Sequence, residues 1–529
     1  MPATPHVHNN ESMNEQRGMY SDDSNKSGDD QHKIQTDMRV IVIGAGMTGL
    51  MSARHLLLKG YRVTILEAND YVGGRVFSKD GDLDLGAETV HGSGTALTDL
   101  IEELRGLGYW KEYQDNDHFS DGCLDSAKRK KSPSWAEEIF ITSAADGGPN
   151  SEPTNEGKFG MYYFNGSLIS YNDSAVQPLT DALDHIFHDT IDPAAFSVHK
   201  SVGSALSTYG LSPELLKLAN ASYGNTGAGP IEDMSLSMIA HWEKHWEIME
   251  EEGDYRPRMG MHAIVSALLE QLRQDINFEL ILNAKVTRVD QDDSKNAIVQ
   301  YISIAGQCEE LQAPAIIVTI PPNLYPQIQM QLSPSKQEAL SFIGFERIIK
   351  VVLRFQKRLW PPLVQNLVCA EEPVPEIWFR PWGDDVAAVG YLTSTAADDL
   401  VKATSPDDIS DTKTKAKEIF LKQLVKMFQG DWDTWYGAVT EVEFHDWRDH
   451  PHIGGGYMYP KVGLTPGHVR ELAKSQGRIF FGGEATNTNA SATIQAAMET
   501  GIRAAKEVCS SLQYQDTHEK SKHQLSKMV

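Results

Sequence analysis

Near the front of this 529-residue chain, the stretch Gly44-Ala45-Gly46-Met47-Thr48-Gly49 lies between an apolar, β-branched run (Arg39–Ile43) and a helical pattern from Leu50. Gly60 punctuates that helix, and a second β-branched run at 63–66 ends in Glu67, 23 residues after Gly44. In this setting G-x-G-x-x-G is suited to phosphate binding. The first glycine permits a tight turn, the second lets the backbone approach a pyrophosphate, and the third lets the helix pack close to the strand. The helix start adds free N–H groups and a partial positive charge. Glu67 stands where an acid accepts a hydrogen bond from a ribose 2′-hydroxyl. Strand, loop, helix, strand and acid together describe a dinucleotide site. The acid argues against a 2′-phosphate and so against NADP, leaving NAD and FAD open.

Other residues able to do chemistry are dispersed along the chain. Directly after Glu67-Ala68 comes Gly73-Gly74-Arg75, small residues and a cation able to flank a pyrophosphate. Far downstream, Phe480-Phe481-Gly482-Gly483-Glu484 ends a strand with an acid, and a helix beginning at Thr493-Ile494 can offer N–H groups to anionic atoms. Lys350 lies within the strand-like IIKVVLRF, on one face with Ile348, Val352 and Arg354. Pattern alone makes it a solvated lysine at a sheet edge. A Gly-rich aromatic segment, 447–457, ends at Gly456-Tyr457.

The elements that must hold these residues fall into blocks. Nucleotide-like α/β segments occur at 38–112, 256–330 and 449–513, and segments of different character occupy 113–255 and 331–448. The expected fold is α/β: a Rossmann-like dinucleotide domain assembled from discontinuous pieces, with an α+β second domain inserted twice. Residues 159–255 read as mainly helical, with Trp242 and Trp246 on one helix face as core. Residues 1–37 are polar and read as a disordered tail, and 514–529 as a flexible one. The run Lys128-Arg129-Lys130-Lys131 reads as a solvated loop.

Composition bounds the function. Hydrophobic content is 40% and the formal net charge is −25, of which residues 1–37, with seven acids and three bases, supply −4. No basic patch marks a nucleic-acid partner, and an acidic surface favours the approach of cationic ligands. Four scattered cysteines without a C-x-x-C pair suggest a reducing compartment and no structural metal. No run of 18 apolar residues, apolar leader or C-terminal Ser-Lys-Leu is present, so no transmembrane span and a cytoplasmic location are expected. Oligomeric state is not legible.

Taken in order, VIVIGAGMTGL, LEANDYVGGRVFS, DLGAETVHGSG, KVVLRFQKRLWP, GGGYMYP and RIFFGGEAT with TIQAAMETGIRAA resemble the flavin amine oxidases. These comprise monoamine, polyamine and spermine oxidases and, more distantly, L-amino-acid oxidases and lysine-specific histone demethylases. The resemblance implies FAD rather than NAD. Gly44, Ala45, Gly46, Thr48 and Gly49 would cradle its pyrophosphate, Glu67 and Ala68 its adenosine ribose, and Val286 the adenine through its backbone. Gly74 and Arg75 would lie near the pyrophosphate and ring, Glu484 near the ribityl–phosphate region, and Thr493 and Ile494 near the flavin. Lys350 would hold a water against the flavin N(5), Tyr457 would be one wall of an aromatic cage, and His91 would meet the substrate amine.

Departures sharpen these expectations. Gly456 replaces a flavin-linking cysteine, so the FAD is expected to be non-covalent. Thr493 stands at the nearest match to a second aromatic wall. Asn69 replaces an arginine, and a carboxylate-binding G-x-M-R motif is missing. The implied reaction oxidises a polyamine or monoamine to an imine or aldehyde, with dioxygen reduced to hydrogen peroxide. The alternatives are an L-amino-acid or specialised-metabolite oxidase on the same fold, and a non-catalytic FAD-stabilised interaction protein.

Overall fold

The structure, a computed structural model, describes residues 38–528 apart from 93–94, 109–139, 143–159, 188–198 and short breaks at 251–253, 258, 292–295, 363, 384 and 405–407. The N-terminal tail and the basic run at 128–131 lie outside the described residues.

A five-stranded parallel sheet forms the nucleotide side, in the order Phe278–Ile281, Arg62–Leu66, Arg39–Ile43, Ala315–Val318, Ile479–Phe481. Three of these strands, Arg39–Ile43, Ala315–Val318 and Ile479–Phe481, are almost wholly apolar and the central one is buried on both faces, as a parallel sheet covered on two sides requires. One covering layer packs Met47–Leu58 against the last helix, Ile494–Met528, and adds His262–Arg273. The other face meets a small sheet built on the hairpins of Lys285–Gln291, Ala297–Ile302 and Cys308–Ala313. The α/β expectation with a parallel Rossmann-like sheet is met.

A seven-stranded mixed sheet forms the second unit. Its order is Val439–Asp446, Ile348–Phe355, Asp385–Thr393, Glu376–Trp382, Asn366–Cys369, Gly160–Phe164, Ser167–Ser170. Strand alternation divides its side chains. Ile349, Val351, Leu353, Ile377, Phe379 and Leu392 pack with Phe420, Leu421 and Leu424 of the helix Ile409–Phe428. The opposite face carries Lys350, Val352 and Arg354 and, two strands away, Glu376, Trp378 and Arg380, with Tyr391 on the strand between them.

Several sequence expectations change here. The Lys350 strand lies inside the sheet, paired on both sides, and Lys350 is only 2% exposed, so the solvated-edge reading fails. Residues 160–170 form a hairpin before the helices begin, because the turn Asn165-Gly166 supplies two positive-φ positions. Trp242 is buried as expected and donates its indole N–H to the Thr488 carbonyl at 3.1 Å, while the Trp246 side chain is not among those described. The last helix does not stop near Leu512, and its backbone continues to Met528 where a flexible tail was expected. The Lys-, Glu- and Gln-bearing sequence there has good helix propensity although it lacks an apolar stripe. No helix among the described residues is long and apolar enough to cross a membrane.

Candidate active site

The nucleotide loop is shaped by close approach. Gly44 has φ +102°, and a Cβ at position 49 would sit 1.9 Å from the Gly44 carbonyl oxygen, so only glycine lets the helix start here. A Cβ at Gly46 would meet nothing nearer than the Gly73 carbonyl at 4.0 Å, which leaves open space in front of the helix N-terminus. The Gly73 N–H donates to the Ala45 carbonyl at 2.8 Å, bringing Gly73-Gly74 beside this loop, and Thr48 is buried in the first helical turn. Glu67 Oε2 accepts from the Ala45 N–H at 2.7 Å, and Oε1 accepts from both Asn69 nitrogens. Burial pushes the Glu67 carboxyl above its ordinary value despite these donors. Oε2 keeps one lone pair for a ribose hydroxyl. The Asn283 and Ala284 N–H groups bond the Asn69 and Glu67 carbonyls, which sets the strand of Val286 beside Glu67-Ala68. These residues fit an adenosine diphosphate moiety.

At the other end of the site, Arg75 Nη1 donates to Glu484 Oε1 at 2.9 Å and to the Gly456 carbonyl at 2.8 Å. Glu484, 4% exposed, also accepts from the N–H groups of Met458 and Ala492. The residues on either side of Tyr457 are therefore both held by the Arg75–Glu484 pair. Thr493 caps the last helix: its Oγ1 accepts from the Ala496 N–H at 3.1 Å, and Ile494 begins the helix. A Cβ at Gly456 would lie 1.9 Å from Ile348 Cδ1, so a larger residue there requires the Ile348 side chain to move.

Lys350 reaches into the loop that follows Arg75. Its Nζ donates to the carbonyls of Asp84 and Gly86, both at 2.9 Å, and to Glu88 Oε2 at 2.8 Å, which engages all three ammonium hydrogens. Glu88 also faces Arg256 Nη2 at 2.8 Å and Arg380 Nη2 at 3.7 Å. Burial works to raise the Glu88 pKa, but Arg256 and Lys350 outweigh it and hold the carboxyl below its usual value. Asp84, buried and beside Glu88, is pushed up to about 7.

Along the same sheet face, the Tyr391 ring stacks on Trp378 at 4.9 Å. Tyr457 donates its only hydroxyl hydrogen to the Thr226 carbonyl, so at 2.7 Å the Tyr391 hydroxyl is the donor to Tyr457. Glu376 accepts from Asn225 Nδ2 at 3.0 Å and Trp378 Nε1 at 2.9 Å, and burial lifts its pKa to about 7. His91 lies on a short strand opposite Asp254, three residues beyond Glu88. Sequence reading singled out Lys350, Tyr457, Arg75 and Glu484, which the structure gathers. It missed Glu88, Arg256, Glu376, Trp378, Arg380 and Tyr391. Of these, only Glu88 carried a signal, as an unexplained acid inside the quoted loop.

The family model for flavin containing amine oxidoreductases matches residues 47–509, most of the chain. The chain belongs to the flavin-containing amine oxidoreductases. Among curated relatives, the probable polyamine oxidase 4 of Arabidopsis thaliana is 25% identical over 90% of this chain and 87% of its own. The L-amino-acid oxidase of Siganus canaliculatus is 23% identical over 90% and 86%. Lysine-specific histone demethylase 1 homolog 3 of Arabidopsis thaliana is 25% identical, but this chain spans only 30% of it. Among solved structures, cyclohexylamine oxidase from Brevibacterium oxydans IH-35A superposes with a TM-score of 0.70 at 19% identity, over 90% of this chain and all of that one. Its likeness concerns the fold. As a flavin-containing amine oxidoreductase the protein is an enzyme that uses FAD and acts on amine donors. The open cradle at Gly44–Gly49 with Glu67 fits the nucleotide end of that cofactor, and the Arg75–Glu484 pair would lie toward its other end.

Proposed function

We propose that the protein is an amine oxidase that converts a small amine to an imine, hydrolysed to an aldehyde, with dioxygen as acceptor and hydrogen peroxide as product. On this reading residues 38–112, 256–330 and 449–513 form the FAD domain, and 113–255 with 331–448 the substrate domain. The observation that supports it is the bracketing of Tyr457: Gly456 and Met458 both bond the Arg75–Glu484 pair, which would hold this aromatic residue beside the cofactor. When bound, FAD supplies the two-electron acceptor.

The chain's residues then have distinct tasks. Tyr457 and Tyr391 orient the amine and keep water from the reacting carbon. Only a neutral amine offers the lone pair that assists C–H cleavage, so the site must receive or generate that form. Lys350 is held where it could give up one carbonyl acceptor to retain a water molecule. Gly456, with Ile348 filling the space beside it, supports a cofactor held without a covalent bond. The likeness to a relative named polyamine oxidase supports polyamines, with monoamines next. Arg256 and Arg380 favour a second reading, an amine that bears an acid. A peroxide-coupled assay across diamines, polyamines, monoamines and amino acids tests the reaction. Peroxide formed with at least one class is expected, and bound yellow flavin without turnover on any of them contradicts it.

A further inference from the structure

Three cations converge on one carboxylate and one indole. Lys350, Arg380 and Arg256 lie 5.2, 5.6 and 5.9 Å from the centre of the Trp378 ring, and all three face Glu88. Glu88 is too little to satisfy them. It bonds Lys350 through Oε2 and stands 2.8 Å from Arg256 Nη2, whereas Arg380 Nη2 is 3.7 Å away, beyond hydrogen-bond reach. Nε and Nη2 of Arg380 and Nε of Arg256 are shielded from bulk solvent and have no acceptor among the described residues; Glu88 Oε1, the one oxygen facing both arginines, is itself without a hydrogen bond, so three donors stand against a single acceptor atom. An Nε without a hydrogen bond recurs at Arg347, Arg448 and Arg503, so the telling atom is Arg380 Nη2, a buried terminal donor that forfeits its hydration without return.

Among the described residues, the other acids nearby are committed elsewhere. Asp84 Oδ1 accepts from Ser78 Oγ and the Met261 N–H. Glu376 is spent on Asn225 and Trp378, and lies four residues from Arg380 on the same strand, about 13 Å at ~3.3 Å per residue. Burial holds both carboxyls near 7, so around neutrality they are only partly charged. The floor of the site is thus polarised. The tyrosine pair and Glu376 mark one end, and a surplus of arginine charge the other, with Trp378 between them.

A planar anion suits that surplus, since guanidinium donors match carboxylate geometry in pairs. A second ammonium, as in a diamine, would instead face three cations. We infer that the substrate is an amine carrying a carboxylate, which Arg256 and Arg380 receive over the Trp378 ring while the amine lies toward Tyr391 and Tyr457. This rests on the amine-oxidase reading above and, of the substrate classes given there, places the acid-bearing amine ahead of polyamines and monoamines.

The test uses FAD-loaded enzyme and two matched sets that vary the distance between acid and amine. One set is phenylalanine, phenylalaninamide and phenethylamine. The other is 6-aminohexanoate, 6-aminohexanamide and 1,6-diaminohexane. In at least one set the acid should exceed its amide by tenfold or more in kcat/KM. Arg380→Gln and Arg256→Gln should each drive that ratio toward one, and Arg380→Lys, which keeps the charge, should retain part of it. Flavin content confirms that each variant is folded. Amides or the diamine equal to or better than the acids in both sets overturn the inference and leave the amine-oxidase reading standing. So does an acid-to-amide ratio unchanged in both glutamine variants. If no compound reduces the flavin, the oxidase reading fails, and a titration of the oxidised flavin spectrum decides the inference alone. Perturbation by an acid and not by its amide upholds it, and equal or absent perturbation overturns it.

Discussion

Glu88 gathers the charge of the site. Replacing it by alanine leaves Lys350, Arg256 and Arg380 without their shared anion, a change that costs about 3–5 kcal/mol when one partner of a buried pair is removed. Glu88→Ala is therefore expected to lower the melting temperature of the flavin-loaded enzyme far more than Lys350→Met, which leaves Glu88 with Arg256. Equal melting losses in the two variants would contradict this. Lys350→Met should instead show in the kinetics, slowing flavin reduction or re-oxidation by about tenfold or more. Stopped-flow half-reactions both matching wild type would remove Lys350 from the mechanism. Glu376 makes a pH prediction with a definite sign. Its folded pKa is raised to about 7 from an ordinary 4.5, so between those values the folded chain holds a proton that the unfolded chain has lost. That group therefore takes stability away as pH rises through this window. Glu376→Gln should gain on wild type in melting temperature from pH 5 to pH 8, and a constant difference across that range would contradict the assignment.

At the scale of elements, the glycine loop separates two effects that sequence alone merges. Gly49→Ala places a Cβ 1.9 Å from the Gly44 carbonyl and should disturb the strand–helix junction itself, lowering both apoprotein stability and flavin content. Gly46→Ala meets only open space, so the apoprotein should melt as wild type does, while FAD affinity falls by about tenfold or more, ~1.4 kcal/mol per decade. Apoprotein melting that falls equally in both variants would contradict the separation. The same elements show what was legible. The strand–loop–helix–strand unit could be read because its signal is local, a continuous apolar run broken by glycines at fixed spacing. The Lys350 strand was readable as a strand but not as an interior one, since its neighbours come from residues 385–393 and 439–446 and no local pattern reports pairing. Arg256, Trp378 and Arg380 look like ordinary surface or strand residues in sequence. Only the sheet register and the loop through Glu88 bring them together.

At the scale of the whole molecule, two sheets share one site. The parallel sheet presents the nucleotide loop and Glu484, the mixed sheet presents Lys350, Trp378 and Tyr391, and the segment around Gly456–Tyr457 joins them. With Ile348 occupying the space beside Gly456, the mass of the denatured protein should be that of the bare chain, and a flavin-sized increment would contradict a non-covalent cofactor. On the proposed reading the mixed sheet would hold the amine and the parallel sheet the FAD, which would take up the substrate's two electrons. An anaerobic titration of the FAD-loaded enzyme with substrate amine reads that transfer. The flavin absorbance should bleach at about one equivalent and return on admitting oxygen, with one peroxide formed per flavin. Flavin that stays oxidised under every amine and amino acid tried would contradict the role assigned to this site.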